Sequence, residues 1–223
     1  MLQLSSLQFL EDLKNNNTRE WFYDNQKRYE AYKTNYHEII KELLLLLTPH
    51  EPSLQEVEVK HCTFRIHRDI RFSKNKTPYK THMGVWIPLS LHQKNTPGFY
   101  LHIEKDNTFL GGGFWNPEAE DLKKIRKEIA FFYEDLEHII ENKEFKREFN
   151  YFNTDENSII KTVPKGYEKT HPAIEFLKLK SFTASQKIDE HQLLEPTFIK
   201  DVAQKMLILQ PLNHFLLRAL HTE

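Results

Sequence analysis

The sequence predicts an α+β fold with a mostly antiparallel central sheet flanked by N- and C-terminal helices. Three observations lead there. Segments of period-two hydrophobicity fill one continuous middle block, residues 57–115, and helical periodicity lies on both sides of it. The expected strands also follow one another through polar turns, without the helical crossover that a parallel βαβ unit requires. No internal repeat, low-complexity tract or linker interrupts the 223 residues, so a single domain, 1–223, is expected.

The elements follow in order. Ser5 or Ser6 is placed to cap a first short helix with Leu7, Leu10 and Leu13 on its buried side, and Asn15-Asn16-Asn17 ends it. Asn17 with Glu20 has capping-box spacing and opens a helix from Thr18 to Leu47. Its apolar face is Trp21, Phe22, Tyr29, Tyr36, Ile40, Leu43, Leu44 and Leu47. Pro49 and Pro52 stop it. Val57 and Val59, then Phe64 and Ile66, alternate with polar neighbours as strands do, and Phe72 to Thr81 reads as a loop. Met83–Leu89 and Gly98–Glu104 are further strands joined by the polar stretch 90–97. Lys105-Asp106-Asn107 turns the chain into a strand at Thr108–Trp115.

Pro117 opens a helix whose face is Leu122, Ile125, Ile129, Phe132, Tyr133, Leu136 and Ile140, with Asn142 at its end. Glu144–Phe152 forms another short helix, and 153–169 is irregular with a turn at Pro164-Lys165-Gly166. His171-Pro172 starts a helix through Leu179, and Phe182–Ser185 returns as an edge strand. Glu195-Pro196 opens the last helical stretch, which Pro211 interrupts.

At 39% hydrophobic and 13% aromatic residues the chain can bury a sizeable core, while a mean hydropathy of −0.65 describes a wet surface. Cys62 is the only cysteine, which excludes an intrachain disulfide and fits a reducing compartment. The start, MLQLSSLQFLEDLK, lacks the basic region of a signal peptide. The longest apolar run, Leu43–Leu47, is far below the ~18 residues of a membrane span, so a cytoplasmic protein without a membrane partner is expected.

Charge is segregated. Between Lys60 and His82 lie seven Lys/Arg and one acid, Asp69, a formal +6 in a chain whose total is −1, leaving −7 elsewhere. Such a patch meets something anionic or is neutralised within the fold. Arg65, Arg68 and Arg71 supply forks of donors suited to phosphate or carboxylate, and Lys74, Lys76 and Lys80 add diffuse charge. Ser73 and Tyr79 add hydroxyls. Arg68 and Arg71 share a face only if the chain bends between them, and such a bend would converge their guanidinium groups. Solvated surface charge, or a salt-bridge network with Glu104, Glu118 or Glu120, is the competing reading.

The run Phe64–Gly84, with Gly98–Glu104, Leu110–Gly113, Pro164-Lys165-Gly166-Tyr167 and His171-Pro172, resembles an uncharacterised family, domain of unknown function 2461, of bacteria and fungi. The Arg68–Lys74 run is specific to it, and Asn75 stands where an Asp is expected. The resemblance covers nearly the whole chain and implies a compact α+β domain. It implies no activity, so no catalytic residue carries over.

Gly111-Gly112-Gly113 in a strand marks either tight packing or a ligand approaching the backbone. Packing is the more ordinary cause, since aromatics adjoin the run. His67-Arg68-Asp69 and His102-Ile103-Glu104 each set an imidazole and a carboxylate on one strand face, with His82 as a further ligand. Neighbouring arginines oppose a cation there, so hydrogen-bonded histidines are preferred and no metal site is expected. Cys62 and His61, being adjacent, would face opposite ways on a strand. No nucleophile, dinucleotide or P-loop motif is present, and no cofactor or oligomeric state is indicated.

The resulting expectation is a protein that binds an anionic small ligand at Arg65, Arg68, Arg71, Ser73, Lys74, Lys76, Tyr79 and Lys80, with Gly111, Gly112 and Gly113 as further candidates. A module docking nucleic acid or protein on the same patch is the alternative, with nucleic acid disfavoured by the −7 elsewhere. The sequence leaves open whether the protein is an enzyme.

Overall fold

A computed structural model of the chain describes residues 1–93, 95–154 and 158–221. The fold is α+β. Helices at both ends flank one four-stranded antiparallel sheet in the order β1-β2-β3-β4, from Met83–Pro88, Gly98–Ile103, Phe109–Phe114 and Phe182–Lys187. The three strands expected between 83 and 115 and the returning edge strand are therefore where the sequence puts them. Residue 94, in the polar 90–97 stretch, and residues 155–157, in the 153–169 stretch, lie outside the described residues.

The chain divides into two compact units, one of Met1–Ile87, Tyr100–Leu110 and Lys187–Gln204, the other of Pro88–Phe99, Gly111–Gln186 and Lys205–Glu223. In the first, α1 (Leu4–Asn15) packs along α3 (Gln26–Leu47). Phe9, Leu10 and Leu13 are buried there with Tyr32, Tyr36, Ile39, Ile40, Leu43 and Leu47. In the second, α5 (Ala119–Phe131) and α6 (Tyr133–Ile140) pack against α10 (Gln210–His221). Ile125, Ile129, Leu136, Leu212 and Leu216 form the buried face.

Several boundaries differ from expectation for local reasons. Neither Ser5 nor Ser6 caps α1: Ser6 is buried and donates to Asn35 Oδ1 at 3.0 Å, while Gln3 precedes the helix. Thr18, not Asn17, caps α2 (Arg19–Asp24), accepting from the Trp21 N–H at 3.2 Å. The long helix breaks at Asn25, whose side-chain amide donates to the Trp21 carbonyl at 2.9 Å. The expected helix after Pro117 begins at Ala119 and breaks at Phe132 before α6. Asn142 then caps α7 (Lys143–Phe149) through the N–H groups of Glu144 and Phe145. The expected helix 171–179 shortens to α8 (Ile174–Leu177), and α9 (Phe198–Ile208) ends before Pro211 as predicted.

The expected strand over 57–68 is the main correction. Val59–Cys62 is instead a helical turn, α4, closed by a capping box in which Glu58 and His61 satisfy each other's backbone. Beyond it the chain is extended but makes only isolated bridges, Thr63 with Val85 and His67 with Tyr79. The sheet thus starts at Met83. Among the described residues no helix is long and apolar enough to cross a membrane.

Candidate functional site

The basic stretch folds as an arm that doubles back on itself within the first unit. Lys80 N–H donates to the Ile66 carbonyl and Arg68 N–H to the Pro78 carbonyl, both at 2.8 Å, with His67 and Tyr79 paired between them. Tyr79 pins the base: its ring stacks on Phe22 with centroids 4.1 Å apart, and its backbone is held at both ends by the Asn17 amide, each bond 3.0 Å. Asn17 acts as a strand partner would. Tyr79 is therefore buried and structural, whereas Arg65, Arg71, Lys74 and Lys76 are exposed.

The tip, residues 69–77, is built from short polar loops. Asn75 Oδ1 accepts from the Thr77 N–H at 2.9 Å and the Thr77 hydroxyl at 2.8 Å, an Asx turn. Half-buried Arg68 points into it: Nη1 donates to the Thr77 carbonyl at 3.1 Å and to the Thr77 hydroxyl, and Nη2 reaches Ser73 Oγ at 3.4 Å. None of these partners is an acid. Arg71 instead chelates Asp69, with Nε to Oδ1 at 3.0 Å and Nη2 to Oδ2 at 2.7 Å, and is 77% exposed. That pair, aided by the Arg71 N–H and then the charge of Arg65, holds the Asp69 carboxyl below its ordinary range. Arg68 and Arg71 thus take different partners, and the acid that Arg71 meets is its near neighbour.

Lys76 donates to the Ile70 carbonyl at 2.9 Å, and the Lys80 ammonium lies 5.0 Å from the centre of the Phe64 ring. Burial, and then the charge of Arg65, lower the Lys80 pKa. Arg65 and Lys74 form no ion pair with any described residue.

Gly111, Gly112 and Gly113 belong to the second unit and are buried in β3. A side chain at Gly113, whose φ is +115°, would meet the Phe182 carbonyl oxygen at 2.0 Å, and one at Gly111 the Ala184 carbonyl oxygen at 2.7 Å. Chain atoms occupy the space beside them, as in the packing alternative. A groove of about 840 Å³ lined by Leu44, Leu45, Pro49 and Leu54 also belongs to the first unit and includes none of the predicted site residues.

A second cluster forms from residues that sequence reasoning weighed and set aside. Tyr100, His102 and Glu104 share one face of β2 and its end, opposite the buried Phe99, Leu101 and Ile103. The His102 Nδ1 lies 3.1 Å from the Tyr100 hydroxyl and its Nε2 3.3 Å from Glu104 Oε2. His82, at the end of the arm, stacks on His102 with ring centroids 4.4 Å apart. Burial, then the charges of His102 and Lys80, push His82 down to about 4 against the opposing pull of Glu104. Burial raises the Glu104 carboxyl, but hydrogen bonds from His102 and Asn107 and the charge of Lys14 outweigh it and hold it below its ordinary value.

Residues 5–215 match the family model described as "Conserved hypothetical protein (DUF2461)". The chain belongs to that family. No curated protein and no solved structure matches it. Within DUF2461, then, the basic arm and the β2 cluster of this chain are judged on their own geometry.

Proposed function

We propose that the arm binds a compact anionic ligand carrying phosphate or carboxylate groups. Arg65, Arg68, Arg71, Ser73, Lys74, Lys76 and Lys80 would do the binding. The observation that carries this reading is Arg68: a half-buried guanidinium whose partners are all neutral oxygens, with its Nε unused among the described residues. Removing a charge from water without a counter-charge is costly, and an arriving anion offsets that cost. The exposed cations around it supply the long-range attraction.

Melting curves at matched ionic strength test the reading, with inorganic pyrophosphate and citrate as probes. At ten times its Kd a ligand stabilises by about 1.4 kcal/mol, roughly 3–6 °C for a chain of this size. That shift should disappear in Arg68→Ala and shrink in the double variant Arg65→Ala/Lys74→Ala, whose exposed positions leave the fold alone. No shift in the wild type with either probe would remove the reading.

One observation favours the macromolecular alternative. Phe72 is 95% exposed at the arm's tip, with the Arg71 guanidinium 5.8 Å from its ring centre. An exposed ring beside cations is a stacking platform for a base or a contact for a protein partner. Phe72→Ala should leave the pyrophosphate shift intact and weaken only a macromolecular complex.

A further inference from the structure

We propose that His82, His102 and Glu104 bind a divalent first-row transition-metal ion of the zinc and ferrous type. Two imidazoles and one carboxylate are the donor set such ions take, with the remaining positions left for water or an exogenous anion. The inference is independent of the arm's ligand and stands or falls apart from it.

The geometry is close to assembled. One donor atom from each of the three residues lies within 4.8 Å of the other two. Around an ion with bonds of about 2.0–2.2 Å, donors stand roughly 3 Å apart. His102 Nε2 and Glu104 Oε2 already lie at 3.3 Å, so closure falls to His82, whose ring, now stacked at 28° on His102, must turn its donor nitrogen toward them.

The surroundings resemble an outer shell. With Nε2 on the metal, His102 Nδ1–H faces the Tyr100 hydroxyl at 3.1 Å, the second partner that ligating imidazoles generally have. Its ring is stacked on Phe109, 4.9 Å between centroids, which limits its rotation. Glu104 is aimed by Thr81 at 3.4 Å, Asn107 at 3.4 Å and Lys14 at 3.5 Å.

Two cations oppose the ion. Lys14 meets Glu104 at Oε1, not at the Oε2 assigned to the ion. Its side chain is 55% exposed and the pair is worth little, so it can keep that contact or swing into solvent. Lys80 acts on His82 from the arm and remains. Two neutral imidazoles, one carboxylate and a divalent ion carry a net +1, so Lys80 weakens the site and favours an anion at the open position. The competing role is a metal-free relay in which Tyr100, His102 and Glu104 satisfy one another, and the experiment separates the two.

Chelator-treated protein is titrated with Co²⁺, followed by its visible absorption, and with Zn²⁺ by calorimetry. The expected result is one equivalent bound at micromolar or lower Kd. Glu104→Gln and His82→Gln should each weaken it by about 100-fold, and Tyr100→Phe by about tenfold. Circular dichroism checks that each variant folds. If a variant does not, Co²⁺ added to the wild type decides: selective perturbation of the His82 and His102 ring resonances supports the site, and sparing both overturns it. No stoichiometric binding in the wild type, or binding unchanged in folded Glu104→Gln and His82→Gln, also overturns it. The latter would place the ion among the other histidines.

Discussion

Tyr36 ties the helical layer of the first unit to the chain beyond it. Its hydroxyl donates to the Gly84 carbonyl and accepts from the Phe64 N–H at 3.1 Å. Tyr36→Phe leaves both backbone groups without their partner and should cost about 1–3 kcal/mol in urea unfolding. The same phenol sets an alkaline limit. Burial raises the pKa of Tyr36 and also that of Tyr32 above the ordinary 10. The unfolded chain therefore releases these protons near pH 10 while the folded chain retains them. Their contribution is complete below that pH and is lost as pH rises past it. The melting temperature should fall above pH 10, and less steeply in Tyr36→Phe. Cys62 is a third residue-scale case: burial pushes its thiol up to about 12, so it is protonated at neutral pH. A thiol-specific disulfide reagent should react with it only at the rate of unfolding, and rapid stoichiometric reaction of native protein would contradict this burial.

The arm is an element whose integrity depends on a residue far away in sequence. Asn17→Ala removes both bonds to the Tyr79 backbone and should cost about 1–3 kcal/mol. Hydrogen exchange at Arg68 and Lys80 should then accelerate, and unchanged exchange would show that stacking of Tyr79 on Phe22 suffices. This tether also explains which parts of the fold were legible. The strands at 83–88 and 98–103 repeat apolar residues every second position, Met83, Val85 and Ile87, then Phe99, Leu101 and Ile103, and the glycine-rich strand at 109–114 follows the second of them through a short turn. At 57–68 the same period runs in pairs only, and local bonding of Glu58 with His61 wins over pairing. Asn25 could have been read as a helix break from its chemistry, whereas Phe132 offers no such signal, since an aromatic there continues the apolar face. The basic arm was legible as composition, but its internal wiring was not. Arg71 turning to Asp69 and Arg68 to Thr77 depends on loop geometry that no periodicity encodes. The β2 cluster had a sequence signal, the His-x-Glu spacing, and its third member comes from a residue twenty positions earlier whose approach only the fold fixes.

On the scale of the whole molecule, the two units are not separated by linkers. The chain crosses between them after residues 87, 99, 110, 186 and 204, and every crossing falls inside a strand or helix. Domain boundaries ordinarily lie in exposed connecting segments, so these units are expected to unfold together in a single calorimetric transition. Two resolved transitions would show independent domains. Charge is the other whole-molecule property. The +6 of residues 60–82 is set against −7 in the rest of the chain. A small anion meets only the arm, because at physiological salt charges beyond about 8 Å are screened. A polyanion extends past the arm's footprint and meets the acidic remainder. If DNA nonetheless docked on six cations of the arm, the logarithm of its affinity would fall with that of salt at a slope of about −5. The expected result is weak binding of duplex DNA even at low salt, with a shallow slope, while the pyrophosphate effect persists. A steep slope that becomes shallower by about one unit in each of Arg65→Ala and Lys74→Ala would instead make the arm a nucleic-acid contact.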